Sequence, residues 1–69
     1  MEIEIGDLLI ATRLPEEINS FVNGDIIQIT DKFNSKDYFV KVIYKADDSV
    51  WNGVNNWCLY DECQYFDKL

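Results

Sequence analysis

The sequence contains no histidine, and its 69 residues include only three glycines and one proline. Without histidine the chain has no imidazole to act as a general base near neutral pH. It also contains no glycine-rich phosphate loop and no Gly-x-Ser-x-Gly nucleophile elbow. These absences argue against catalysis, so we expect a protein that is not an enzyme and that uses no cofactor.

Candidate metal ligands are scarce. A closed tetrahedral zinc site needs four soft ligands, and with only two cysteines and no histidine the chain cannot build one alone, although a dimer could share one. The polar stretch 47–56 offers oxygen ligands for calcium, but it lacks the EF-hand spacing and the closing glutamate. A solvated turn is therefore the favoured interpretation of this stretch, and we predict no metal site.

The two cysteines, Cys58 and Cys63, lie close together in the sequence. No secretion signal accompanies them, so free thiols are favoured over a disulfide. Their acidic neighbours Asp61, Glu62 and Asp67 should raise the pKa of a thiol, which disfavours a cysteine nucleophile.

Long hydrophobic runs are also missing. No segment approaches the roughly 18 consecutive apolar residues of a membrane span. The acidic start, Met1 to Glu4, is the opposite of the basic start of a signal peptide. We therefore expect a cytoplasmic protein that has no membrane contact.

Basic residues are few. Six lysines and arginines stand against thirteen aspartates and glutamates, which gives a formal net charge of −7 at pH 7. Binding to a phosphate backbone depends on lysine and arginine, so direct binding of nucleic acid is disfavoured. A protein with a basic surface would be attracted and steered by this charge.

Apolar residues, by contrast, are abundant, at 48% of the chain, and 14% are aromatic. This content is enough for residues 1–69 to fold as a single domain, although a core of this size rarely supplies more than about 3–5 kcal/mol net. Apolar residues come in short alternating or continuous runs, and no window of eleven or more shows helical spacing. The pattern predicts an all-β protein.

Five strands are predicted, over residues 8–12, 26–30, 38–44, 57–60 and 64–66, the last of which could instead be a 3₁₀ turn. Gly6-Asp7 and Asn23-Gly24-Asp25 are turn signals before strands. The intervening segment 13–23 can form one short helical turn, with Ile18 and Phe21 pointing inward.

Two features resemble a small SH3-like barrel. The first is the Gly-Asp pair that opens a strand, at Gly6-Asp7 and Gly24-Asp25, and the second is the tail 57–63, in which an aromatic strand leads into an acidic turn. The resemblance implies a five-stranded SH3-like barrel, a fold that hosts protein, peptide and nucleic-acid binders alike.

The chain departs from peptide-binding SH3 domains, because it has no Ala-Leu-Tyr-Asp-Tyr opening strand and no proline near its end to shape a polyproline groove. Its small size, its acidity and its richness in Ile, Asn, Asp and Lys resemble short acidic bacteriophage accessory proteins. Such proteins commonly bind a host protein in the host cytoplasm and modulate or inhibit it.

The candidate partner-binding residues are aromatics and nearby carboxylates, since aromatics dominate binding hot spots and rim charges set selectivity. The set comprises Trp51, Asp47, Asp48, Trp57, Tyr60, Asp61, Glu62, Glu16 and Glu17. Trp51 is the first choice because it lies in a polar stretch outside the regular strands. An equal alternative is that Trp51 folds back as a lid on the core.

Three functional hypotheses follow. The first is a protein-binding module that docks an acidic and aromatic surface on a basic host protein. The second is a DNA mimic whose carboxylates imitate phosphates and block a nucleic-acid-binding protein, and the third is a nucleic-acid-binding small barrel that uses aromatic stacking. An exposed edge strand could also pair with a second copy to form a homodimer.

Overall fold

The computed structural model describes residues 2–18, 20–47 and 57–69. These residues form five strands and one 3₁₀ turn, and they contain no α-helix. The strands are β1 (Leu8–Ala11), β2 (Ile26–Lys32), β3 (Asp37–Tyr44), β4 (Trp57–Tyr60) and β5 (Phe66–Lys68), with the 3₁₀ turn at Glu62–Tyr65. The predicted all-β class is confirmed.

The strands form one antiparallel sheet in the order β4-β3-β2-β1-β5. Strands β4 and β5 are thus its two edges, and within the described residues the sheet does not close between them. The SH3-like barrel expected from the sequence is therefore supported only at the level of a five-stranded antiparallel sheet.

Most strand positions agree with the sequence prediction, and β4 has the predicted bounds. Of the two alternatives predicted for 64–66, the 3₁₀ turn is confirmed for residues 64 and 65, and the last strand begins at Phe66. Residues before it form the 3₁₀ turn, which starts after Asp61 in the left-handed conformation (φ 67°). No helical turn forms in 13–18 or 20–23; there is a hydrogen-bonded turn in which the Ile18 N–H donates to the Pro15 carbonyl at 3.1 Å.

Side chains on β3 alternate between the two faces of the sheet, as a strand requires. Tyr38, Val40 and Val42 are buried on the inner face, whereas Phe39 and Lys41 point away from the core and are half-buried. The inner face carries the hydrophobic core, which consists of Ile3, Leu9, Ala11, Phe21, Ile27, Ile29, Tyr38, Val40, Val42, Leu59, Cys63 and Phe66.

Phe21, from the segment between β1 and β2, bridges the two edges of the sheet. Its ring makes an edge-on contact with Trp57 of β4 at a centroid distance of 5.7 Å, and another with Phe66 of β5 at 5.8 Å. Such contacts contribute about 0.5–1.5 kcal/mol each beyond the buried area. The inward direction predicted for Phe21 is thus confirmed.

A buried ion pair holds this segment in place. Asp25 and Lys45 are the two charged residues buried among those described, with side chains 0% and 1% exposed, and the Lys45 ammonium donates to the Asp25 carboxylate. The ammonium also donates to the Ser20 carbonyl at 3.1 Å and lies 5.0 Å from the centre of the Phe21 ring. Ser20 and Asp25, on either side of Phe21, are therefore both tied to Lys45, which directly follows β3.

The Asp25 carboxylate accepts further hydrogen bonds from the backbone, from Val22 N–H at 2.9 Å and Ala46 N–H at 2.7 Å. Gly24 adopts φ 101°, which confirms the turn predicted at Asn23-Gly24-Asp25. The sequence indicated Asp25 only as a turn residue. Asp25 is buried because it pairs with Lys45, twenty positions away, and a local turn pattern does not predict so distant a partner.

Removing one member of this pair should be strongly destabilising. A buried charge left without its partner costs about 3–5 kcal/mol. At about 0.05–0.15 kcal/mol per residue, a chain of this length has a total stability of only about 3–10 kcal/mol. We expect Lys45→Met and Asp25→Leu, each alone, to abolish most of the free energy of unfolding measured by urea denaturation.

The double variant Asp25→Leu/Lys45→Met removes both charges together and should recover a large part of that loss. Lys41→Met is the control, because it makes the same substitution at a half-buried lysine on the other face of the sheet. Its urea concentration at the midpoint of unfolding should be close to that of the wild type. A single variant as stable as the wild type would contradict the structural role of the pair.

Candidate functional site

The structure describes seven of the nine residues selected from the sequence. Trp51, the first choice, and Asp48 lie outside the described residues. Asp47, Glu16 and Glu17 are exposed. Asp47 follows the end of β3, and the two glutamates lie in the segment between β1 and β2. The remaining four belong to β4 and the turn after it.

Trp57 and Tyr60 lie on opposite faces of the sheet. Trp57, at the start of β4, is half-buried and packs against the core through Phe21. Tyr60, at the end of β4, is 64% exposed. The two aromatics therefore do not form one surface, and Tyr60 is the exposed one of the two.

Tyr60, Asp61 and Glu62 are consecutive and lie beside the start of β3, where Tyr60 is paired with Asp37. Asp47 lies beyond the opposite end of β3. The structure therefore groups three of the selected residues with a carboxylate that was not selected, and it leaves Asp47 apart from them.

The outer face of the sheet carries exposed aromatic side chains. Phe33, which follows β2, is 56% exposed, and its ring lies 4.3 Å, centroid to centroid, from that of Phe39 on β3. Phe39 is paired across the ladder with Cys58, whose side chain points to the same face as that of Tyr60. We call Phe33, Phe39 and Tyr60 the outer-face patch.

The outer-face patch borders three carboxylates, Asp37, Asp61 and Glu62, which we call the acidic rim. Burial raises the pKa of Glu62, the Tyr60 N–H that donates to it at 3.4 Å lowers it, and the negative charges of Asp37 and Asp61 raise it further. The net direction is upward. The rim is thus a cluster of like charges that favours a cationic neighbour.

The basic side chains do not neutralise the acidic rim. Four of the six form ion pairs elsewhere, namely Arg13–Asp67 at 2.8 Å, Lys68–Asp7 at 3.1 Å, Lys32–Glu4 at 4.0 Å and the buried Lys45–Asp25. Within the described part of the chain, no lysine or arginine nitrogen lies within 4.0 Å of a rim carboxylate. The excess negative charge of the protein is therefore concentrated partly at this site.

Beside the acidic rim is a small pocket of about 200 Å³. Its lining comes from the N-terminal segment, the β2–β3 turn with the start of β3, and the 3₁₀ turn. The residues are Ile3, Ser35, Lys36, Tyr38, Asp61, Cys63 and Gln64. Asp61 belongs to both the pocket and the rim, and its N–H donates to the Lys36 carbonyl at 3.3 Å.

Phe33, Phe39 and Asp37 were missed by sequence reasoning. The alternation of β3 does contain a signal for Phe39, since Tyr38, Val40 and Val42 form the apolar face and Phe39 must then face outward. Phe33 is the one apolar residue of a polar loop. Its contact with Phe39 depends on the path of that loop, which no local pattern determines.

No group of three or more histidine, cysteine, aspartate or glutamate side chains in the described ranges is arranged to hold a metal ion. Those ranges also contain no helix long and apolar enough to cross a membrane. Both cysteines are free thiols, as predicted.

Comparison with protein-family models, with curated proteins and with solved structures gave no match for this chain.

The two thiols should differ in reactivity. Burial, followed by the charges of Glu62 and Asp61, raises the pKa of Cys63 to about 12, so almost no thiolate exists there at pH 8. Cys58 is half-buried on the outer face. We expect a disulfide reagent at pH 8 to modify one thiol per native chain rapidly, and the second only after denaturation.

The assignment is checked with single variants. Cys58→Ser should lose the rapid phase, whereas Cys63→Ala should retain it. Loss of the rapid phase in Cys63→Ala would show that the buried thiol is the reactive one.

Two carboxylates should affect stability in opposite directions. The folded pKa of Glu62 is raised above its ordinary value of 4.5, so the protonated form of this carboxyl favours the folded state. That stabilisation is fully present below pH 4.5 and is lost as pH rises through the folded pKa. Hydrogen bonds from Arg13 and then Thr12 lower the pKa of Asp67 below 3.8, so its contribution is present above that pH and is lost as pH falls through the folded pKa.

We therefore expect Glu62→Gln to raise the free energy of unfolding at pH 7 and Asp67→Asn to lower it. Urea unfolding from pH 7 to pH 3 should show both differences from the wild type shrinking as the carboxyls become protonated. A higher free energy of unfolding at pH 7 for Asp67→Asn, or a lower one for Glu62→Gln, would contradict the inferred directions of the two pKa shifts.

Proposed function

We propose that this chain is a non-enzymatic protein-binding module that docks the outer-face patch and the acidic rim on a basic surface of another protein. The observation that carries the proposal is the exposure of Tyr60 and Phe33, 64% and 56%, beside carboxylates that have no described cationic partner.

The site combines the two kinds of group that protein interfaces use. Aromatic side chains at the centre of an interface bury much area and account for most of its binding energy. Charges at the rim steer the encounter and select the partner. In this chain Phe33 and Phe39 are already in contact, so part of the aromatic surface is ordered before binding, which lowers the entropic cost of association.

For the fold we propose a small SH3-like barrel. The strand order β4-β3-β2-β1-β5, the long connection between β1 and β2, and the 3₁₀ turn between β4 and β5 support it. By the resemblance to short acidic bacteriophage proteins, the partner is a host protein that is modulated or inhibited in the host cytoplasm. That origin stays a prediction from sequence alone.

Affinity capture with matched variants tests the function. When Phe33 and Tyr60 are both replaced by serine, we expect the affinity for a partner that the wild type captures to fall at least about thirtyfold, because a single hot-spot aromatic contributes about 2 kcal/mol or more. Tyr44→Ser is the control, since Tyr44 is 51% exposed at the end of β3, away from the patch. Unchanged unfolding curves would show that the variants remain folded.

Equal capture by the wild type and the double variant would contradict the proposal. A DNA mimic would instead be indicated by an affinity that the aromatic replacements leave unchanged but that falls strongly at high salt and on charge reversal at the acidic rim. Binding of single-stranded nucleic acid at physiological salt would indicate the nucleic-acid-binding alternative.

A further inference from the structure

The pocket beside the acidic rim is held by contacts between separate segments. The Asp61 N–H donates to the Lys36 carbonyl at 3.3 Å, which links the turn after β4 to the turn before β3. The Tyr38 hydroxyl donates to the Ser35 carbonyl, also at 3.3 Å. Tyr60, in the outer-face patch, directly precedes Asp61, so the pocket and the patch adjoin.

The pocket has an apolar wall and a polar mouth. Ile3, Tyr38 and Cys63 are buried and belong to the hydrophobic core. Asp61 and Gln64, which also line it, are exposed. An occupant that fits both parts has an apolar stem and a polar end, as the side chains of lysine and arginine do.

Negative charge predominates around the pocket. The Asp61 carboxylate lines the pocket. Burial, followed by the charges of Glu62 and Asp61, raises the pKa of Cys63, and burial, followed by the charges of Cys63 and Glu4, raises the pKa of Tyr38. Lys36 is the one cationic residue of the lining. The polar end of the occupant should therefore be a cation.

The size of the pocket restricts the occupant further. Its volume of about 200 Å³ is below the roughly 300–1,000 Å³ of pockets that bind whole small molecules. It is suited to one side chain of a larger partner. A second copy of this chain is disfavoured as that partner, because each copy has a net charge of −7.

We propose that this pocket receives an arginine side chain of the basic partner protein, with the aliphatic stem against Ile3 and Tyr38 and the guanidinium at the Asp61 carboxylate. The inference rests on the proposed function, for which it specifies the chemistry of the partner. Arginine is favoured over lysine because its planar guanidinium can form two parallel hydrogen bonds to one carboxylate.

The test uses N-acetyl-arginine amide as the probe and the isosteric, uncharged N-acetyl-citrulline amide as its control. Titration is followed by the amide chemical shifts of the ¹⁵N-labelled protein. We expect saturable shifts at Lys36, Asp61 and Gln64 with the arginine probe, and affinity about tenfold lower for citrulline, as loss of a charge-assisted hydrogen bond predicts.

Asp61→Asn removes the charge and suits the left-handed backbone at this position, where asparagine is well tolerated. This variant should lower the affinity for the arginine probe about tenfold, to the affinity that the wild type has for the citrulline probe. Asp31→Asn is the matched control, because Asp31 is exposed on β2 and does not line the pocket, and it should bind as the wild type does. Equal affinity for the two probes, or shifts that Asp61→Asn leaves unchanged, would overturn the proposal.

The Phe33→Ser/Tyr60→Ser variant separates this inference from the proposed function, since neither residue lines the pocket. It should bind the arginine probe as the wild type does. If the probe binds but the patch variants capture the partner normally, the docking surface is wrong and the cation site is retained. If capture depends on the patch and the probe does not bind, only the pocket assignment fails.

Discussion

The ion pair between Asp25 and Lys45 is the interaction on which the rest of the structure depends. It is buried, both of its side chains also hydrogen-bond to the backbone, and it ties the segment between β1 and β2 to the end of β3. That segment carries Phe21, which fills the space between the two sheet edges. A hydrophobic pair could contribute as much to stability, but an arrangement of the segment that separated the two charges would leave each of them buried without compensation.

The same arrangement determines which face of the sheet the described part of the chain leaves exposed. With Phe21, Ile3 and Cys63 covering the inner face, the apolar side of the sheet is occupied by the chain itself. Among the described residues, none covers the outer-face aromatics in this way, and four of the six basic side chains are engaged away from the acidic rim. Aromatic surface thus lies beside carboxylates that have no described cationic partner, which is the combination on which the proposed function rests.

Much of the fold could be predicted from the sequence, because strand formation depends on a local period of two. The β4 bounds and the inward direction of Phe21 followed from such patterns. The candidate site was harder to predict. Trp57 and Tyr60 were grouped by residue type, although an odd spacing along one strand places them on opposite faces, and Asp37 joined Tyr60 only through the pairing of β3 with β4.

By itself the sequence determined the all-β class, the turn at Gly24 and the free thiols, since each depends on residue type and near neighbours. It also determined the excess of negative charge, which is a sum over the chain. Tertiary structure alone decided that Asp25 is buried against Lys45, and that Phe33, Phe39 and Tyr60 share a surface beside Asp61. Those relations join residues far apart in the chain, and only strand register and the path of the connecting segments bring them together.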